Sequence, residues 1–388
     1  MSTKNILLAI ALVLIAGSIW YLQSGKVRPG GGEKGEVLTE TPATESSTST
    51  MAKIDTKPDA TSPFSSVAQN DTATRKAQKA KKYTSAREIV PGGGFINTEP
   101  FKLKDFIGKK VILLDFWTYS CINCQRTTPY LNAWYEKYKD QGLVIVGVHT
   151  PEFDFEKVYE NVANAVKEEG IKYPVVQDND YATWQTYENR FWPRKYLIDI
   201  DGYIIYDHIG EGAYDETERL IQTALKEREQ VLGIDANIST GVSSPADVTT
   251  VDKGKVRSKE VYFGADRNES LGNGVKDTTG LQQLSLPANL KPDILYLEGT
   301  WDFTGEYAKN TGSQGKIVFN YGAKNVYFVG NADTPVDITI MIDGKVSRHQ
   351  TIKENKLYTL VEGTDYGEHT LEILINTPGL IAYTFTFG

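Results

Sequence analysis

The chain has 388 residues, enough for two domains of ordinary size plus tails. Its net charge of -8 gives no electrostatic footprint for nucleic acid or for an acidic substrate. With two cysteines and four scattered histidines (His149, His208, His349, His369), it lacks the four closely spaced ligands of a structural zinc site.

Ile6 to Leu22 is a 17-residue run without charge. That is the lower limit for a membrane-spanning helix and long for a signal-peptide core. Trp20 and Tyr21 lie at its end, where an interfacial aromatic belt belongs. Residues 1–23 are therefore expected to be a single-pass anchor, with a cleaved signal as the alternative. Lys26, Arg28 and Lys34 follow the segment, but a large C-terminal region is translocated regardless of such charges, which places it on the extracytoplasmic side. Residues 24–88 are rich in Gly, Ser, Thr, Pro, Glu and Lys, too poor in apolar side chains to offset the entropy of ordering, and predict a disordered linker. Its basic cluster, Arg75, Lys76, Lys79, Lys81 and Lys82, is expected to be solvated, or else to touch anionic lipid.

Residues 89–231 show the alternation of an α/β domain. Val111 to Phe116 is a short apolar run that predicts a buried strand, and Gln125 to Lys139 has helical periodicity. Between them both cysteines stand in one motif, Cys121-Ile-Asn-Cys124. A thiol at a helix start faces unpaired N–H groups and the positive end of the dipole, which favours its thiolate. Cys121 is thus the candidate attacking thiol, and Cys124, one turn on, the resolving one. A purely structural disulfide is disfavoured, because the shortest loop stabilises least. Leu143 to Val148 predicts a second buried strand, and Phe155 to Glu169 a helix with Val158, Val162 and Val166 on one face. A short helix at Tyr181 to Glu188, a hairpin turning at Asp201-Gly202, and a helix from Tyr214 to Glu229 follow.

The run Asp115-Phe-Trp-x-x-x-Cys-x-x-Cys, with Pro129 five residues after Cys124, resembles the thioredoxin superfamily. Phe95-Ile-Asn-Thr98, Trp117-Thr-Tyr-Ser-Cys-Ile-Asn-Cys124, His149-Thr-Pro-Glu-Phe153 and Trp192-Pro193 are more specifically similar to TlpA/DipZ-type extracytoplasmic thioredoxin-like proteins, over about Ile89 to Glu229. The resemblance implies a thioredoxin-like fold and thiol–disulfide exchange, with no cofactor beyond a redox-active Cys121–Cys124 disulfide. It implies that Asp115 is the buried acid that exchanges a proton with Cys124, its pKa raised by burial. It implies a cis bond before Pro193, a substrate groove formed with Trp117 and Trp192, and an acid close to the cysteines at Glu152, with Glu156 nearby. Thr127 stands where some TlpA-type reductases carry a glutamate, so proton handling rests on Asp115 or Glu152.

Residues 232–257 hold no aromatic side chain and predict an interdomain linker. In residues 258–388 the period changes to two: Val336, Ile338, Ile340 and Ile342 before an Asp343-Gly344 turn, then Leu371, Ile373 and Ile375, then Ile381, Tyr383, Phe385 and Phe387. This predicts an all-β antiparallel sandwich. Glu260-Val-Tyr-Phe-Gly264 and Phe385-Thr-Phe-Gly388 resemble the carbohydrate-binding-module-like domain of DipZ-type proteins. An aromatic platform including Trp301 and Tyr307 is a weak case for glycan binding, and protein docking is favoured over it.

The function expected is a membrane-tethered, extracytoplasmic thiol–disulfide oxidoreductase acting on protein disulfides or dithiols. A reductase is favoured, fed by a separate DsbD/CcdA-type membrane electron donor. One rival is a thiol peroxidase, suggested by Thr118-x-x-Cys121 but lacking the expected proline, Leu114 standing there. The other is a glycan- or protein-binding protein with an inert disulfide.

Overall fold

The computed structural model describes residues 72–246 and 248–388. The expected anchor at residues 1–23 and most of the expected tether lie outside the described residues. Among the described residues no helix is long and apolar enough to cross a membrane.

The N-terminal domain is a seven-stranded mixed sheet with helices between its strands. Its elements are α1 (Thr72–Ala80), β1 (Thr84–Ser85), β2 (Phe95–Ile96), β3 (Val111–Trp117), α2 (Ile122–Tyr138), β4 (Leu143–His149), α3 (Tyr159–Glu168), β5 (Val175–Gln177), α4 (Ala182–Thr186), β6 (Arg194–Ile198), β7 (Tyr203–Ile209) and α5 (Tyr214–Leu232). The strand order is β1-β7-β6-β3-β4-β5-β2. β3 runs parallel to β4 and antiparallel to β6. Every residue of β3 and β4 is buried, which is why both read as continuous apolar runs rather than alternating ones.

Two expectations for this domain need correction. Residues 72–85 are ordered rather than part of a disordered tether: α1 docks by charge. Lys79 Nζ lies 2.6 Å from Asp199, 3.0 Å from Asp201 and 2.5 Å from Glu227, and Arg75 Nε lies 2.6 Å from Asp201. Composition alone missed this because ion pairs, not apolar burial, hold the helix. Val158 does not join Val162 and Val166 in the core. A 3-10 turn at Asp154–Lys157 leaves Val158 extended at the helix start, 46% exposed.

Residues 233–259 carry no helix or strand among those described, yet they are pinned to the first domain. Ser243 N and Oγ donate to Glu218, and Lys137 and Gln222 donate to the Gly241 carbonyl.

The C-terminal domain comprises β8 (Val261–Tyr262), β9 (Gly280–Leu284), β10 (Leu295–Phe303), β11 (Ala308–Ala332), β12 (Val336–Ile342), β13 (Lys345–Ile352), β14 (Lys356–Ile375) and β15 (Leu380–Phe387), all paired antiparallel. They form one continuous hydrogen-bonded sheet rather than two separate ones, with β11 pairing β10, β14 and β15 in turn. The sheet folds over a single core, where Phe319 of β11 lies 6.3 Å from Phe385 and 5.3 Å from Phe387 of β15. Asp343 and Gly344 both have positive φ, 52° and 75°, as the two-residue turn between β12 and β13 demands. Trp301 is fully buried in this core and Tyr307 packs 5.3 Å from Tyr383, so neither forms the exposed aromatic platform considered from sequence.

β15 departs from its sequence pattern in an informative way. Ile381, Tyr383, Phe385 and Phe387 alternate as if on one face, but the register against β11 slips between Val329↔Thr384 and Gly330↔Ala382. A bulge adds one residue and so switches the face. Phe385 and Phe387 enter the C-terminal core, whereas Ile381 and Tyr383 join the core of the first domain. There the Tyr383 ring lies 4.9 Å from both Phe153 and Phe155. The two domains therefore share an apolar contact.

Candidate redox site

β3 ends at Trp117, and the chain turns through Thr118, Tyr119 and Ser120 into α2, whose N-cap is Cys121. The Cys121 sulfur occupies the place of a capping oxygen: Sγ accepts from Cys124 N at 3.3 Å and lies 3.9 Å from the Trp192 carbonyl. Cys124 sits one turn on, and both thiols are free and buried. Burial pushes both thiols up, Cys124 well above its ordinary value. For Cys121 the hydrogen bonds with Cys124 oppose this, while the charges of Glu152 and Glu260 add to it. The thiolate preference expected from the helix start is thus overridden here by enclosure and by acidic neighbours.

Asp115 lies within β3, 2% exposed, with Oδ1 lacking a hydrogen-bond partner among the described residues. Burial raises its pKa to about 7, against the lowering effect of Lys195. Lys195 on β6 is its cross-strand partner; burial lowers the ammonium's pKa, opposed by Asp115 and Cys124. Tyr173 completes this buried set, its phenol raised first by burial and then by Asp115, Glu169 and Cys124. Glu169, raised to about 7 by burial, accepts from Thr128 Oγ1 at 2.8 Å.

On the other side of the pair, Glu156 staples the turn around Cys121. One of its oxygens accepts from Ser120 N (3.3 Å) and Oγ (2.6 Å), the other from Glu152 N (2.6 Å) and Phe153 N (3.0 Å). Burial raises its pKa to about 7. His149 is fully buried, its Nε2 3.4 Å from Thr118 Oγ1, and desolvation lowers its pKa to about 3, so it stays neutral.

Cys121, Cys124, Asp115, Trp117, Trp192, Pro193, Glu152 and Glu156 all lie in this region, and all are buried. The Trp192–Pro193 bond is cis. Trp192 packs 4.4 Å from Trp184 and donates from its indole to the Thr150 carbonyl at 3.0 Å. Trp117 is 2% exposed against His149, with room made by Gly147, where a Cβ would come within 2.9 Å of its Nε1. Neither tryptophan presents a surface to a substrate in this arrangement. Glu152 is also buried, held by side chains of the C-terminal domain: Arg267 Nη1 at 2.7 Å and the Tyr262 hydroxyl at 3.0 Å.

The sequence reading gave no role at the site to Lys195, Tyr173, Glu169, Glu260, Tyr262 or Arg267. Lys195 had a local signal, a lysine directly before the apolar run Tyr196 to Ile198. Glu260 and Tyr262 stood in the motif Glu260-Val-Tyr-Phe-Gly264, but with nothing to link them to the cysteines, because their role depends on how the second domain docks.

Residues 96–225 match the Redoxin family, and residues 258–388 match a family described as a thioredoxin-like C-terminal domain. The DipZ proteins of Mycobacterium tuberculosis and Mycobacterium bovis are each 38% identical to this chain over 301 residues, covering 76% of it and 41% of their own length. The chain therefore spans about two fifths of those relatives. The thiol-disulfide oxidoreductase ResA of Bacillus thuringiensis is 36% identical over 121 residues, 31% of this chain and 66% of its own. Among solved structures, a thioredoxin-like protein in its oxidised form aligns with 26% identity and a TM-score of 0.35, over 37% of this chain and 97% of that one.

Proposed function

Because the chain is a DipZ-type thioredoxin-like protein, a Redoxin domain joined to a thioredoxin-like C-terminal domain, we propose that it is a thiol–disulfide oxidoreductase, tethered to the membrane by residues 1–23 and acting outside the cytoplasm on protein disulfides. The observation that carries the reading is the placement of Cys121 as the N-cap of α2, with Cys124 one turn behind and within reach of the Asp115 charge.

In this mechanism the Cys121 thiolate attacks one sulfur of a substrate disulfide and expels the other, which takes up a proton. Cys124 then gives its proton to the Asp115 carboxylate and attacks Cys121 Sγ, releasing the second substrate thiol and closing the Cys121–Cys124 disulfide. An acid titrating near 7 exchanges that proton readily at neutral pH. Two electrons and two protons from a membrane donor of the DsbD/CcdA type restore the dithiol. In this reading the Trp192–Pro193 peptide, whose Trp192 carbonyl lies 3.9 Å from Cys121 Sγ, borders the groove for the substrate chain.

The direction favoured is reduction. Oxidants of this fold have a strongly stabilised reduced form, whereas burial and acidic neighbours work against the Cys121 thiolate here. Two measurements test the reading. Cys121→Ser should abolish turnover and Cys124→Ser should trap substrates as mixed disulfides; normal turnover in either variant rejects it. A reduction potential near about -270 mV supports a reductase, and one near about -120 mV an oxidant.

A further inference from the structure

Beside the redox pair, side chains from both domains form one continuous hydrogen-bonded chain. Glu152 Oε1 receives Arg267 Nη1 at 2.7 Å and the Tyr262 hydroxyl at 3.0 Å. The same Tyr262 hydroxyl lies 2.6 Å from Glu260 Oε2, and Glu260 Oε1 accepts from Thr386 Oγ1 at 2.9 Å. Arg267 also lies over the Tyr262 ring at 3.6 Å, which fixes the phenol in place.

A phenol carries one proton, so with both glutamates ionised Tyr262 can satisfy only one of them. A proton on Glu260 makes every contact a hydrogen bond: Glu260 donates to the Tyr262 oxygen, and Tyr262 donates to Glu152. Enclosure of the Glu260 carboxyl and the charge of Glu152 favour that proton, raising its pKa to about 8. From Glu152 the connection continues through its backbone N–H to Glu156, and from Glu156 to Ser120, the residue before Cys121.

We propose that Glu260 and Tyr262 of the C-terminal domain are positioning residues of the redox site: they hold one proton in a chain ending on Glu152 and so set the balance between thiol and thiolate at Cys121. The proposal rests on Cys121 being the attacking thiol. The charged and titratable groups around it are Cys124 on its own helix, Glu152 and Glu156 after β4, and Glu260, Tyr262 and Arg267 from the C-terminal domain, with His149 neutral. A thioredoxin-like domain alone would lack Glu260, Tyr262 and Arg267, so the second domain tunes the chemistry as well as covering it.

The test is the alkylation rate of Cys121 in the reduced full-length chain, followed by mass spectrometry with iodoacetamide over about pH 6 to 11. Glu260→Gln removes the charge and keeps an N–H to give Tyr262. It should lower the midpoint of the profile by about half a unit, about threefold more thiolate between about pH 8, above which Glu260 is ionised, and the midpoint. Thr386→Val removes a donor that favours ionised Glu260, and should move the midpoint the same way. Loosening of the domain contact would expose the thiol, which also lowers the midpoint, and is recognised by a raised plateau rate. A lowered midpoint with an unchanged plateau in either folded variant supports the proposal. An unchanged or raised midpoint in both, or a lowered one only where the plateau also rises, overturns it. Disulfide turnover does not enter this readout, so failure of the oxidoreductase reading would show separately, in the Cys121→Ser and Cys124→Ser variants.

Discussion

Asp115 on β3 stands directly opposite Lys195 on β6, so a carboxyl and an ammonium, both buried, face the interior within one sheet behind Cys124. Neither has solvent to stabilise its charge, and each moves the other: the ammonium draws the acid down while burial drives it up to about 7. The balance leaves an acid raised to about 7 beside Cys124, the thiol that gives up its proton in the mechanism proposed above.

Asp115→Asn should raise stability at pH 8 and slow turnover by about tenfold or more. The folded pKa lies above the ordinary 3.8, so the folded protein keeps a proton that the unfolded chain releases between about pH 4 and 7. Stability from this group is complete below that window and is lost as pH rises through it. Asn carries no such loss, so the variant's melting temperature should exceed that of the parent at pH 8, with the gap narrowing toward pH 4. A gap that stays constant with pH would show that Asp115 does not titrate in this window.

Lys195→Met should move the same titration upward. Without the opposing ammonium, burial acts on Asp115 alone, and the midpoint near 7 in the pH–rate profile should rise by about one unit. An unmoved midpoint would mean that the pair is not coupled.

Tyr383→Ala should loosen the contact between the domains. It removes a ring that touches both Phe153 and Phe155, at a cost of about 3–5 kcal/mol. Calorimetry should show two separated transitions in the variant, and alkylation of Cys121 should accelerate at every pH. A single unshifted transition would count against a shared core.

Lys79→Met should destabilise the first domain by about 3 kcal/mol or more at pH 7, because it leaves Asp199, Asp201 and Glu227 together around a neutral side chain. Urea unfolding at pH 4 should show a smaller difference, since the Glu227 carboxyl, which burial pushes above its ordinary value, takes up a proton there and relieves the repulsion. Equal losses at both pH values would assign the effect to packing rather than charge.

The strand, the C-x-x-C and the helix after it were legible from residues 111–139 because each is a local pattern: an apolar run, a helix-start thiol, a 3.6-residue period. Asp115 was legible for a related reason, as a polar residue inside an apolar run whose neighbours guarantee its burial. Helix α1 was not. Its stability comes from Asp199, Asp201 and Glu227, more than a hundred residues away, and no window around Arg75 and Lys79 contains that information.

The same division runs through the site as a whole. Sequence by itself determined that two sulfurs stand one turn apart at a helix start, that an acid lies in the apolar strand before them and that an all-β domain follows, since those depend on spacing and periodicity along the chain. Tertiary structure alone decided that Cys121 is enclosed, that Glu152 is gripped by Arg267 and Tyr262, and that a bulge in β15 turns Tyr383 toward the first domain. Burial and charge proximity are properties of three-dimensional packing. A thiol's pKa follows from what surrounds it, and here part of what surrounds it arrives from a domain more than a hundred residues further along the chain.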